Sequence, residues 1–131
     1  MKKILLIDAS DTYIWCLQKY LQRRGYPIET ASTLKEARTA IQEEMPLVIC
    51  CDLDLPDGTA MELFHALRRV AGMFQMKNPP VRLLPFFILT ENGDLATEYE
   101  YRHEGVNDYI TAPVNIPELI RRIMYFVEDS K

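Results

Sequence analysis

The chain has 131 residues, 48% of them hydrophobic and 26% charged, with a formal net charge of -4. That length fits one domain with a core of its own, and the composition is that of a globular protein rather than a disordered or fibrous one. The acidic balance argues against nucleic-acid binding by charge alone, so no direct nucleic-acid contact is expected.

The three cysteines, Cys16, Cys50 and Cys51, are odd in number, and two are adjacent in an apolar run. They suggest neither a disulfide framework nor a zinc site, which points to a reducing, cytoplasmic setting. Met1-Lys2-Lys3 resembles the start of a signal peptide, but the apolar run behind it, residues 4–7, is too short for a signal or a membrane span. No membrane partner is expected.

Residues 3–7 form an apolar run that stops at Asp8, a first buried strand with an acid at its end. Ser10 or Asp11 can cap the helix that follows. On a helical wheel Tyr13, Ile14, Leu17, Tyr20 and Leu21 share the apolar face, and Trp15 falls on the polar one. Gly25 ends this helix. Residues 28–31 are a second strand. Ser32 or Thr33 then caps a helix with Leu34, Ala37 and Ile41 on one stripe. Residues 47–51 are apolar throughout and stop at Asp52, which reads as a central strand buried on both faces. Pro56-Asp57-Gly58 behind it is a turn signal. Thr59 caps a third helix carrying Met61, Leu63, Phe64, Leu67 and Val70, with its end expected at Gly72.

Residues 72–84 exceed the usual connection, and Pro79-Pro80 forbids a continuous helix there. Met73, Phe74 and Met76 make this extended loop either an adhesive patch or a segment folded over its own apolar residues. Residues 85–89 are a fourth apolar run ending at Thr90. Asn92-Gly93-Asp94 supplies a turn and a cap for a helix with Tyr99 and Tyr101, which Gly105 ends. Residues 107–111 are a fifth strand, and a last helix over 117–127 buries Leu119, Ile120, Ile123 and Val127.

Strand and helix alternate five times, which implies an α/β fold with one doubly wound, five-stranded parallel sheet. All carboxyl ends of such a sheet lie on one edge, so Asp8, Asp52 and Thr90 can converge there. Two close carboxylates repel each other and a divalent cation relieves the repulsion, while a hydroxyl beside them suits an oxyanion. The residues are therefore read as a magnesium-assisted phosphoryl site with Asp52 as acceptor, the plainer reading of Asp52 being a cap on the turn that follows.

Four pieces now carry a resemblance: Ile4-Leu5-Leu6-Ile7-Asp8, the stretch 46–58 around Asp52, Phe87-Ile88-Leu89-Thr90, and the stretch 104–113 ending in Ala112-Pro113. In this order and spacing they resemble the receiver domain of the two-component response regulators, over residues 3–128. The resemblance implies a flavodoxin-like fold with strand order 2-1-3-4-5, residues 1–131 forming one receiver domain with an insertion at about 72–84. No output domain is recognisable, so output would be by contact unless the chain is part of something longer. Asp52 would accept a phosphoryl group from a phosphohistidine on a histidine kinase or histidine phosphotransfer protein. Asp8, Asp52 and the backbone carbonyl of Asp54 would hold Mg²⁺. Thr90 would hydrogen-bond the phosphoryl oxygens, and Tyr109 would swing inward when Thr90 moves. The face formed by the fourth helix, fifth strand and last helix would then change partner, with a homodimer through it as one outcome. Trp15 would be a docking residue at the active-site edge, its plainer reading being a tolerated surface aromatic. The Ala112-Pro113 bond would be cis.

Several positions depart from the family pattern. Ala9 replaces the second of two adjacent acids, which should weaken Mg²⁺ binding. Ala112 replaces a lysine that balances phosphoryl charge. Glu91 stands where a small residue usually follows the threonine; its carboxylate would either repel phosphate or replace the missing metal ligand, Asp11 being the more remote substitute, one helical turn on. Asp54 and Asn92 occupy positions that tune phosphoryl lifetime. Two alternatives follow: a pseudo-receiver that works only by protein contact, and a haloacid-dehalogenase-like phosphatase suggested by Asp52-Leu53-Asp54. Under the leading reading the chain is not an enzyme beyond slow self-dephosphorylation.

Overall fold

A computed structural model describes residues 2–74 and 84–128. In chain order its elements are β1 (Ile4–Ile7), α1 (Asp11–Arg23), β2 (Ile28–Ala31), α2 (Leu34–Glu43), β3 (Val48–Cys51), a small hairpin of β4 (Asp54–Leu55) and β5 (Gly58–Thr59), α3 (Ala60–Phe74), β6 (Phe86–Thr90), α4 (Leu95–Glu104), β7 (Asp108–Thr111) and α5 (Ile116–Glu128). Five strands form one parallel sheet in the order β2-β1-β3-β6-β7.

The three central strands, β1, β3 and β6, are buried at every position. Successive side chains of a strand point to opposite faces, so an unbroken apolar run feeds two cores at once. Leu5, Ile7, Ile49, Cys51, Phe86 and Ile88 pack with residues of α2, α3 and α4, among them Leu34, Leu63, Phe64 and Tyr101. Ile4, Leu6, Val48, Cys50, Phe87 and Leu89 pack against Leu17 and Leu21 of α1 and Leu119 and Ile123 of α5. Among the described residues no helix is long and apolar enough to cross a membrane.

The helix ends follow local chemistry. Thr33 accepts from the Glu36 amide at 3.0 Å, and the Glu36 carboxylate accepts from the Ser32 amide and hydroxyl, a reciprocal cap on α2. Asp94 accepts from the Thr97 amide at the start of α4. Gly105 ends α4 in the left-handed region, φ 109°.

Three expectations are corrected. Ser10 stands at the N-cap of α1 but makes no side-chain cap bond; its amide donates instead to Asp8 Oδ1. Tyr20 is exposed although the wheel placed it on the apolar face. The buried stripe of α1 is centred on Leu17 and Leu21, and Tyr20 sits about 60° round from Leu17. Helix α3 runs through Gly72 to Phe74, because one glycine inside a packed helix costs only about 1 kcal/mol. The extended loop expected at 72–84 falls largely on residues 75–83, which lie outside the described residues, as do the side chains of Asp11, Met73 and Phe74.

Candidate functional site

Strand register builds the site. Ile7 pairs with Cys51, and Cys51 pairs with Ile88. The residues one step beyond, Asp8 and Asp52, are therefore neighbours at the carboxyl edge, and Thr90 closes the group from the end of β6. The ladder continues past the strands: Asp8 N–H donates to Ala31 O at 3.0 Å and Asp52 N–H to Ile7 O at 2.9 Å. Both acids are thus placed by sheet backbone, not by loops.

Each reactive side chain is oriented by a neighbouring amide. Leu53 N–H donates to Asp52 Oδ1 at 2.8 Å, Ser10 N–H to Asp8 Oδ1 at 2.8 Å and Asn92 N–H to Thr90 Oγ1 at 3.1 Å. Thr90 is buried, and both acids are partly buried. Burial is the largest influence on Asp52 and pushes its carboxyl above the ordinary value. The Leu53 amide and the Thr90 hydroxyl draw it back, and the charges of Asp54 and Glu91 raise it again. Asp8 is also raised, first by burial and then by the charges of Asp52 and Glu91, against the pull of the Ser10 amide.

This acidic group has no ion-pair partner among the described residues. Among the described residues the ion pairs involve other acids: Glu98, Glu104, Asp108 and Glu118. Ala112, whose amide donates to Thr90 O at 2.7 Å, lies beside the site but brings no charge. The Ala112-Pro113 bond is cis. A hard divalent cation suits Asp8 and Asp52, since Mg²⁺ takes one or two carboxylates and completes its shell with carbonyl oxygen and water. Glu91 is exposed and its charge is felt by both aspartates. Among the described residues, however, no three side chains of His, Cys, Asp or Glu are gathered closely enough to hold a metal.

Tyr109 is buried, and its hydroxyl donates to Asn92 O at 2.8 Å, so it occupies an inward position against the loop after Thr90. Next to it, Asp108 is clamped by Arg102 of α4 at 3.1 Å and Arg122 of α5 at 3.0 Å. Arg102 also donates to Tyr109 O at 3.2 Å. Burial pushes the Cys50 thiol up to about 12 and that of Cys51 well above its usual value, so neither offers a thiolate at neutral pH. His65 pairs with Glu104 at 2.6 Å and His103 stacks on Tyr99. Trp15 is 60% exposed, with Lys19 over its ring. A groove lined by Cys16, Leu17, Tyr20, Pro113, Val114 and Ile116 separates α1 from the segment after Ala112.

Two residues escaped the sequence reading. Asp57 looks like a turn former, yet its carboxylate accepts from Leu34 N–H at 2.7 Å and Lys35 N–H at 3.0 Å, across the chain at the start of α2. Asp108 falls inside the strand expected over 107–111, and nothing in the sequence pattern points to its two arginine partners, Arg102 and Arg122.

Comparison with known proteins agrees with this fold. A family model, the response regulator receiver domain, matches residues 4–124. The photosynthetic apparatus regulatory protein RegA of Rhodobacter capsulatus is 25% identical over 123 residues, covering 94% of this chain and 61% of that protein. The phosphate regulon transcriptional regulatory protein PhoB of Rhizobium meliloti is 25% identical over the whole chain and 54% of its own length. The chain thus spans little more than half the length of these curated relatives. A putative response regulator from Chloroflexus aurantiacus has a similar crystal structure: TM-score 0.79, 28% identity, 98% of this chain and 99% of that one covered. A response regulator from Burkholderia pseudomallei, solved with a phosphorylated aspartic acid and a calcium ion, aligns with TM-score 0.74 and 21% identity over 98% of this chain and 70% of that one.

Proposed function

The chain belongs to the response regulator receiver domain family, and on that premise we propose that it accepts a phosphoryl group on Asp52 from a phosphohistidine of a histidine kinase or histidine phosphotransfer protein. The observation that carries this reading is the register-built trio of Asp8, Asp52 and Thr90 at the carboxyl edge of the sheet. Asp52 Oδ1 is engaged by the Leu53 amide, which leaves Oδ2 as the attacking oxygen. The new O–P bond forms as the P–N bond to the donor imidazole breaks, and the imidazole keeps the electron pair. Asn92 N–H occupies Thr90 Oγ1 as acceptor, and the Thr90 hydroxyl, whose hydrogen faces Asp52, would turn that hydrogen to a phosphoryl oxygen once Asp52 is modified. Asp8, Asp52 and the Asp54 carbonyl would hold Mg²⁺, which when bound neutralises phosphoryl charge. Ala9, which lacks the usual second carboxylate, would weaken cation binding, while Glu91 would repel the phosphoryl charge from the exposed side and Ala112 would leave that charge without a lysine to balance it.

Thr90 connects to Asn92, and Asn92 to the Tyr109 hydroxyl. A shift of Thr90 toward a phosphoryl group would therefore reach Tyr109 and the α4-β7-α5 face, where Leu95, Tyr99 and Tyr125 are exposed. That face would bind the downstream partner or a second copy of the chain. The α1 edge with Trp15 would receive the phosphohistidine donor. Membership of this family speaks against the phosphatase alternative. The pseudo-receiver reading keeps one observation in its favour: the absence of the second acid and the lysine at positions 9 and 112.

Intact-protein mass after incubation with acetyl phosphate separates the two. The expected result is one added phosphoryl group that requires Mg²⁺ and is missing in Asp52→Asn. No incorporation from acetyl phosphate or from a phosphohistidine protein would leave the contact-only module.

A further inference from the structure

We infer that Asp57 is a positioning residue: by capping α2 it locks the loop that carries the Asp54 carbonyl, and so sets the cation site from the far end of that loop. The cation part of this inference rests on the reading of the site given above; the loop part does not.

The loop from Asp52 to Ala60 is tied at each step. Leu53 N–H donates to Asp52 Oδ1, and Ala60 N–H to Leu53 O at 2.9 Å. Between them Asp54 pairs with Thr59 and Leu55 with Gly58, a hairpin only two residues long on each side. Such a hairpin is marginal by itself. Its tip is secured elsewhere. Both carboxylate oxygens of Asp57 are used, Oδ1 by Leu34 N–H and Oδ2 by Lys35 N–H. These are the first two amides of α2, which have no partner within the helix. The α2 start is itself rigid, because Thr33 and Glu36 satisfy its other donors. Contact at the tip is close: a Cβ on Gly58 would lie 2.6 Å from Leu34 Cδ1 and 2.7 Å from the Glu62 carboxylate, at a φ of 151°. Asp57 lies on the exposed rim. Its carboxyl is held below the ordinary value, first by the Leu34 amide, so it stays charged across the neutral range. The hairpin thus has one end at Asp52 and the other bolted to α2, with Asp54 in between.

The experiment compares Asp57→Ala with Thr33→Ala in the whole chain. Both remove a cap from the same helix end, but only the first frees the loop. Amide hydrogen exchange of residues 53–60 and Mg²⁺ titration by calorimetry, without phosphodonor, are measured on each. The expected result is faster exchange over 53–60 and about 10-fold weaker Mg²⁺ binding in Asp57→Ala, with Thr33→Ala near wild type in both. Gly58→Ala, which pushes the tip off Leu34, should reproduce Asp57→Ala. Loop exchange in Asp57→Ala equal to wild type would overturn the inference, as would equal effects from Thr33→Ala. If wild type binds no Mg²⁺, the reading of the cation site fails; the exchange comparison then still decides whether Asp57 holds the loop.

Discussion

Asp52 and Asp8 carry charge that the fold makes costly. Their carboxyls are raised, above all by burial. A carboxyl raised in the folded state holds its proton more tightly there than in the unfolded chain. Its charge then opposes folding above the folded value, and the penalty fades as pH falls toward the unfolded value of 3.8. Asp52→Asn keeps an oxygen for the Leu53 amide and removes the charge. The variant should melt a few degrees above wild type at about pH 7, with the gain shrinking to nothing near pH 4. Glu36, Asp57, Asp94 and Glu118 are shifted downward and titrate alike in both proteins, so they cancel in the difference. Thermal unfolding of the pair across this range checks it; a gain that grows on acidification would reverse the sign argued here. At this scale Asp8, Asp52 and Thr90 were legible because each interrupts or ends an apolar run. Asp57 was not, because its partners lie 22 and 23 residues away and a Pro-Asp-Gly turn explains it without them.

Among the elements, the central strands were the most legible and the helix faces less so. A strand buried on both sides needs apolar residues at every position, and β1, β3 and β6 have them nearly throughout. Helix α1 shows the difficulty: Tyr20 fits an apolar stripe by angle, but the width of the sheet beneath decides how much of the stripe is covered. The α4-β7-α5 join is also tertiary. Asp108 accepts from Arg102, Arg122 and the Tyr109 amide, and no two of these elements are linked by it in sequence pattern alone. Asp108→Ala should cost about 2–3 kcal/mol in urea unfolding, since two arginines lose a nearly buried partner. Arg122→Ala should cost less, because Arg102 still serves Asp108. A loss below about 0.5 kcal/mol for Asp108→Ala would mean that packing alone joins these elements.

On the whole molecule the proposed function would divide the work among the carboxyl edge, α1 and the α4-β7-α5 face: chemistry at the edge, donor docking beside it and output on the flank. Trp15 tests the division. Its ring is exposed on α1, the helix whose Cys16, Leu17 and Tyr20 line a groove that runs to Pro113 and Val114. Trp15→Ala should leave phosphorylation by acetyl phosphate unchanged while slowing transfer from a phosphohistidine protein about tenfold or more. Equal slowing with both donors would place the effect in the site rather than in docking.

By itself the sequence determined the alternation of elements, the doubly wound parallel class and the three strand-end residues, because these depend on local periodicity and on where apolar runs stop. The family resemblance rested on the same local signals. The tertiary structure decided what periodicity does not encode. It set how far Glu91's charge reaches, that Asp57 fastens the loop to α2, and that Tyr109 is held by Asn92 and flanked by a clamped Asp108. Each of these depends on distances between residues from different elements, and those distances exist only once the sheet has set its register.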